Sequence, residues 1–236
     1  MKSAAFEKLF SALVLAAGIA LAGWFVADAL YRVKASSRFV SVKGLAEREV
    51  PADLVIWPVS FVVTGDDLAA VYARIEADGV KVKAFMKSMG IKENEIEEAT
   101  PAVVDFLARG YSGQAMPKNR YKVTQRFTVR SGDVRKVINA MGKAGRLVKQ
   151  GVVIDEGFQN VTKFMFTGLN SIKPAMIAEA TGNARKAAEK FARDSGSRVG
   201  AIKGARQGFF SITDRDMYTP EIKRVRVVTS VDYFLE

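Results

Sequence analysis

Residues 117–129 read PKNRYKVTQRFTV, and residues 220–233 read PEIKRVRVVTSVDY. Each has a proline, a basic cluster, and then apolar residues at every second position. With one extra residue in the second copy, Tyr121, Val123, Phe127 and Val129 align with Val225, Val227, Val231 and Tyr233. Period-two alternation predicts a strand that buries one face. Writing it twice predicts a duplicated unit.

The surroundings repeat as well. Upstream of the first copy, LVIWPVSFVV (54–63) reads as a strand that Pro58 confines to an edge or bulge. Asp66 and Asp67 then suit a helix start. The helix carries Leu68, Val71, Tyr72, Ile75, Val82, Phe85, Met86 and Met89 at three-four spacing and ends at Gly90. Strands are expected over 95–107 and 120–130, around a turn with Gly110, Gly113 and Pro117. Upstream of the second copy, FQNVTKFMFTG (158–168) reads as a strand. Asn170, Ser171 and Pro174 open a helix with Ile177, Ala180, Ala184, Ala187, Ala188 and Phe191 inward, ended by Gly196. Strands over 199–211 and 223–235 close the chain. Phe85 and Gly90 match Phe191 and Gly196 at equal separation.

The expected fold class is therefore α+β: two β-α-β-β repeat units packed together, approximately 54–130 and 158–235. A linking helix at approximately 132–145 carries Val134, Val137, Ile138 and Met141. A further alternating strand, FVSVKG, opens the body at residue 39.

Leu9 to Ala27 contains no charged residue. Extended to Leu30 the run is about 22 residues, or about 33 Å of helix, which matches a bilayer's hydrocarbon core. The expected organisation is a tail at 1–8, a single N-terminal transmembrane anchor at 9–31, a tether at 32–38 and a body at 39–236. Trp24, Tyr31 and Arg32 suit the membrane interface. Ala20-Leu21-Ala22 resembles a signal-peptide cleavage site, but the apolar run continues through Trp24, Phe25 and Val26, so an uncleaved anchor is the reading taken. Flanking charges do not decide orientation: Arg32, Lys34 and Arg38 oppose Lys2 and Lys8 packed on a short tail.

Of 236 residues, 49% are hydrophobic and 26% charged, which supports a folded body. There is no histidine and no cysteine. That removes Ser-His-Asp and Cys-His nucleophiles and the usual zinc, haem and iron–sulfur ligands. No phosphate-binding glycine loop or EF-hand loop occurs. No cofactor or metal is expected. The formal charge is +11, which draws a protein towards anionic surfaces. Lys122 and Arg126 share one strand face, and Arg224 and Arg226 another, as candidates for holding an anionic lipid or polymer; no nucleic-acid partner is expected, since aromatics are not interleaved. Among the carboxylates, Glu47 and Glu49 share a strand face and Asp155 and Glu156 sit in a turn. Asp214 and Asp216 share a loop and are the cheapest candidates for a carboxylate hydrolase.

VSVKGLAEREVPADLV (40–55), ATGNARKAAEKFARDSGSRVGAI (180–202) and RVRVVTSVDYFLE (224–236) together resemble the SIMPL-domain family. The first stretch has the family's V-x-G-x-x-E-like turn followed by a proline and an aspartate, here Pro51-Ala52-Asp53 rather than adjacent. The resemblance implies a bacterial envelope protein on the outer side of the inner membrane. It also implies large homo-oligomers and a loose connection with oxidative stress, and it transfers no catalytic residue. It tips the orientation towards a periplasmic body. The leading expectation is a non-enzymatic, membrane-anchored protein that self-assembles, with itself and the bilayer (through 9–31) as partners.

Overall fold

The computed structural model describes residues 2–35, 38–108, 117–155, 157 and 160–236, with the side chains of residues 2–9, 11, 12, 14 and 31–35 left aside. The fold is mixed α/β with two sheets. A helix, α1, runs from Lys2 to Ala35, followed by β1 (Phe39–Pro51), β2 (Leu54–Gly65) and α2 (Leu68–Ser88). A 3₁₀ turn (Glu93–Glu95) leads into β3 (Ile96–Glu98), β4 (Ala102–Asp105) and β5 (Tyr121–Ser131). Then come α3 (Val134–Gly142), α4 (Gly145–Lys149), β6 (Lys163–Met165) and α5 (Leu169–Asp194). The chain closes with β7 (Val199–Gln207), β8 (Ser211–Asp214) and β9 (Ile222–Leu235). Two compact units interleave in sequence: 1–47, 172–211 and 226–236 form one, and 48–171 with 212–225 the other.

In the second unit the sheet order is β3-β5-β2-β6, with β4 also on β5. β2 and β5 pair antiparallel from Val55 opposite Ser131 to Gly65 opposite Tyr121. Their shared inner face is Val55, Trp57, Val59, Phe61 and Val63 with Val123, Phe127 and Val129, all buried. Phe61 and Phe127 stack with centroids 5.7 Å apart. A Cβ on Gly79 of α2 would lie 3.6 Å from the Phe127 ring and 3.7 Å from Phe61, so the missing side chain seats α2 over both rings. Pro58 lies opposite Thr128 of β5. On its other side β2 pairs with β6 only over Leu54–Ile56, so the proline stands where its lacking N–H costs no ladder bond.

The other sheet runs β1-β9-β7, with β8 also on β9. Alanines at every fourth position of α5 (Ala180, Ala184, Ala188, Ala192), with Met176, are its buried stripe. Ala184 and Ala188 form a core with Val42, Val231 and Tyr233. Small side chains let helix and strand approach closely. A Cβ on Gly44 of β1 would stand 1.8 Å from the Ala180 carbonyl oxygen and 2.4 Å from the Ala184 nitrogen.

The helices α2 and α5 end alike. Gly90 and Gly196 take φ of +79° and +65°. The amides of Ile91 and Ser197 bond back to the carbonyls of Met86 and Ala192 at 3.1 and 2.8 Å. This is the glycine-ended closure that satisfies the final helical carbonyls.

Several expectations are corrected. Of the segment expected as a strand over 158–168, the described residues 160–168 are extended only at Lys163–Met165, which pairs with β2 and not with β9. The strand beside β9 is β1, whose thirteen residues alternate in burial. The linking helix expected at approximately 132–145 is α3, and a second short helix, α4, follows it. Phe191 is exposed where Phe85 is buried, because the alanine stripe, not the phenyl ring, faces the sheet. Leu68, Tyr72 and Ile138 are also exposed. The expected Gly110 and Gly113 turn and Glu156 lie outside the described residues, as do the side chains of Tyr31 and Arg32. Among the described residues no helix is long and apolar enough to cross a membrane; the expected span at 9–31 falls partly on side chains outside those described.

Candidate functional site

The four basic candidates stand on two strands, Lys122 and Arg126 on β5, Arg224 and Arg226 on β9. Arg126 is turned to an internal task. Its Nε donates to the Ser60 hydroxyl at 3.1 Å, and that hydroxyl donates to Asn160 Oδ1 at 2.8 Å. Asn160 Nδ2 donates in turn to the Asp155 carbonyl at 2.7 Å. Ser60 is 1% exposed. A buried hydroxyl needs partners, and this chain supplies them. Arg224 Nη2 lies 3.9 Å from Glu49 Oε1, and Arg215 Nη1 lies 3.5 Å from Glu49 Oε2. Arg226 is exposed, and Lys122 is half-buried. Sequence spacing placed these residues on faces; it could not show which charges are already answered.

The carboxylates are likewise engaged. Asp67 caps α2, accepting from the Ala69 and Ala70 amides. Asp66 instead accepts from the Arg120 amide at 2.8 Å. Asp214 pairs with the buried Lys223. Asp216 accepts from the Thr219 hydroxyl at 2.6 Å, Arg215 Nε at 3.0 Å and the Tyr218 and Thr219 amides at 2.8 Å. The Thr219 hydroxyl first, then Arg215, hold its carboxyl well below the usual carboxylate range. A general acid needs the opposite shift, towards the working pH. Both aspartates are exposed. Among the described residues no cluster of three or more acidic side chains is arranged to hold a metal.

Asp53 has a role that composition did not suggest. Its carboxylate accepts from the Thr167 amide at 2.7 Å, the Thr167 hydroxyl at 3.0 Å and the Gly168 amide at 2.9 Å. It thus fixes the turn entering α5, where orphan helix amides attract an anion. The Pro51-Ala52-Asp53 stretch is a backbone clamp. The one signal in the sequence was the aspartate's place just after a strand.

Two open clefts, of about 650 and 680 Å³, flank this unit. The first is lined by Pro51, Ala52, Val134, Ile138 and Ile222 with Asp133, Arg135 and Glu221. Its Asp133 carboxylate is spent on the Lys136 amide at 3.0 Å. The second is lined by Leu68, Tyr72, Glu76 and Val103 on and beside α2. The first cleft's lining holds two carboxylates, Asp133 and Glu221, and the second holds one, Glu76.

The stretches that set this geometry are Gly44 against the alanines of α5, the Asp53 clamp and the buried strand β9. The family model of SIMPL, described as a protein of unknown function (DUF541), matches residues 40–229, which include most of all three. The chain belongs to the SIMPL family. No curated protein matches it. SIMPL membership attaches the chain to a family without an assigned activity. The SIMPL stretches that carried the resemblance do structural work here: the glycine of the first meets the alanines of the second.

Proposed function

We propose that the chain is a non-enzymatic, single-pass SIMPL protein of the bacterial envelope. In this reading residues 9–31 anchor it in the inner membrane and the body stands in the periplasm. The body self-assembles into a homo-oligomer, in a role connected with stress defence.

One observation carries the reading. The large apolar side chains described along α1, among them Phe10, Leu15, Ile19, Trp24 and Phe25, are all more than half exposed. A helix apolar on every described side has no water-soluble use for that surface, whereas a bilayer accepts all of it. Self-assembly is supported by the sheet order, which ends in β1 and β7, since end strands offer unpaired backbone groups to another copy. The non-enzymatic reading draws on the missing histidine and cysteine and on the engaged Asp214 and Asp216.

Alkaline washing of membranes, followed by intact-mass measurement, tests the anchor. The expected product stays in the pellet at the full 25.8 kDa. Release into the wash, or a species beginning after Ala22, removes the anchor. Gentle detergent extraction and native mass measurement test assembly, and a monomer at micromolar concentration ends that part.

A further inference from the structure

We infer that the end of the β1-β9-β7 sheet nearest the tether is a docking surface for anionic phospholipid headgroups, through Arg38, Arg198 and Lys203 seated beside Phe39 and Phe234. The inference rests on the anchor reading above.

Three strand ends meet at this point. The Leu235 amide donates to the Arg38 carbonyl at 3.0 Å, and Arg198 and Glu236 exchange backbone bonds at 2.7 and 2.9 Å. The start of β1, the start of β7 and the end of β9 are thereby tied together. Arg38 Nη2 reaches the Ser197 hydroxyl at 3.4 Å. Lys203 Nζ stands 3.5 Å from the centroid of the Phe39 ring and 5.9 Å from that of Phe234. Arg38, Phe39, Arg198 and Lys203 are all exposed. Acidic groups are fewer: Glu236 lies at this end against Gly200, and Asp232, further along β9, already accepts from Ser41 at 2.5 Å.

Chain length decides what this surface faces. Only residues 36–38 separate α1 from β1. Fully extended, four residue steps from Ala35 to Phe39 reach at most about 14 Å. If residues 9–31 span the bilayer, α1 runs about 6 Å past the hydrocarbon, so Phe39 stays within about 20 Å of its edge, in or just outside the headgroup zone. An aromatic ring with a cation on its face suits that zone: the ring sits among glycerol and headgroups while the ammonium meets phosphate. Each basic residue held near an anionic surface contributes roughly five-fold in partitioning, so three contribute on the order of a hundred-fold.

Hydrogen–deuterium exchange on the full chain in nanodiscs tests this. One set is phosphatidylcholine alone, a second contains phosphatidylglycerol, and a third is phosphatidylcholine with added inorganic phosphate. Slower exchange over 198–203 and 233–236 is expected in the phosphatidylglycerol set only, and it should fade as salt is raised. The triple variant Arg38→Glu, Arg198→Glu, Lys203→Glu should lose that protection while exchange over β2 and β5 stays unchanged. Should the triple variant unfold, Lys203→Gln with the salt series on the native chain gives the same reading. Equal exchange in neutral and anionic discs overturns the inference. So does equal protection by inorganic phosphate, which would make this a free-anion site. A chain that fails to enter discs at all overturns the anchor instead.

Discussion

Gly44 and Ala180 stand so close that a Cβ on the glycine would lie 1.8 Å from the alanine's carbonyl oxygen. No real side chain tolerates that distance, so β1 and α5 can meet only at a glycine. The Gly44→Ala variant must push strand and helix apart. Overpacking of this kind costs about 1–3 kcal/mol, read as a lower denaturant midpoint. Gly182 of the same helix is the control. It is exposed, and a Cβ placed there would meet nothing within 4 Å. Gly182→Ala should stabilise by about 0.5–1 kcal/mol, because alanine is the better helix former. Equal effects at the two sites would show that close approach is not what Gly44 provides.

Removing the Asp53 carboxylate should loosen the entry to α5. Asp53→Ala leaves the Thr167 and Gly168 amides without their acceptor, a loss of about 1–3 kcal/mol. Amide exchange at 167–171 should rise in this variant more than exchange in β5. A uniform rise would mean that the clamp is not local.

The Asp216 turn predicts an acid dependence with a definite sign. Its folded carboxyl titrates below its unfolded value, held there by Thr219 and Arg215. A lowered folded pKa gives stability that is present above the unfolded value, near pH 4, and is lost as pH falls through the folded one. Asp216→Asn should therefore be less stable than the parent at pH 7, with the difference closing below about pH 3. A gap that widens in acid would reverse the assignment. Because the carboxyl is exposed, the effect is small.

The basic faces divide into internal and external charges. Arg126→Glu places a carboxylate against the buried Ser60 hydroxyl and breaks its chain to Asn160, so a loss of about 2 kcal/mol or more is expected. Arg226→Glu, at an exposed position, should change stability by less than about 0.5 kcal/mol. Thermal midpoints of the two variants check this. If the second reading of these strands is right, Arg226→Glu also weakens retention on anionic lipid or polymer without altering the fold.

Much of the fold could be read from residues. The alternation in Tyr121–Val129 and Val225–Tyr233 marked two strands whose Val123, Phe127, Val227 and Val231 are buried. Asp67, Gly90 and Gly196 marked helix boundaries correctly, because caps act through neighbours in the chain. Pairing was harder. Nothing local distinguished β1 from the 158–168 segment as the neighbour of β9. Phe191 misled because burial on α5 follows the helix face that Gly44 permits, and hydrophobicity alone pointed to the phenyl ring. The candidate site was the least legible. Lys122, Arg126, Arg224 and Arg226 share faces as expected, but Ser60, Glu49 and Asn160 come to them from distant parts of the chain.

Sequence alone determined the kinds of chemistry open to this protein, its long apolar amino-terminal run and its repeated strands. These follow from residue type and short-range period, which need no knowledge of the fold. The third dimension alone decided that β1 completes the sheet with β9, that Asp53 holds the entry to α5, and that Arg126 serves a buried hydroxyl. Those outcomes depend on groups far apart in the chain meeting at hydrogen-bond distance, and no local pattern encodes such a meeting.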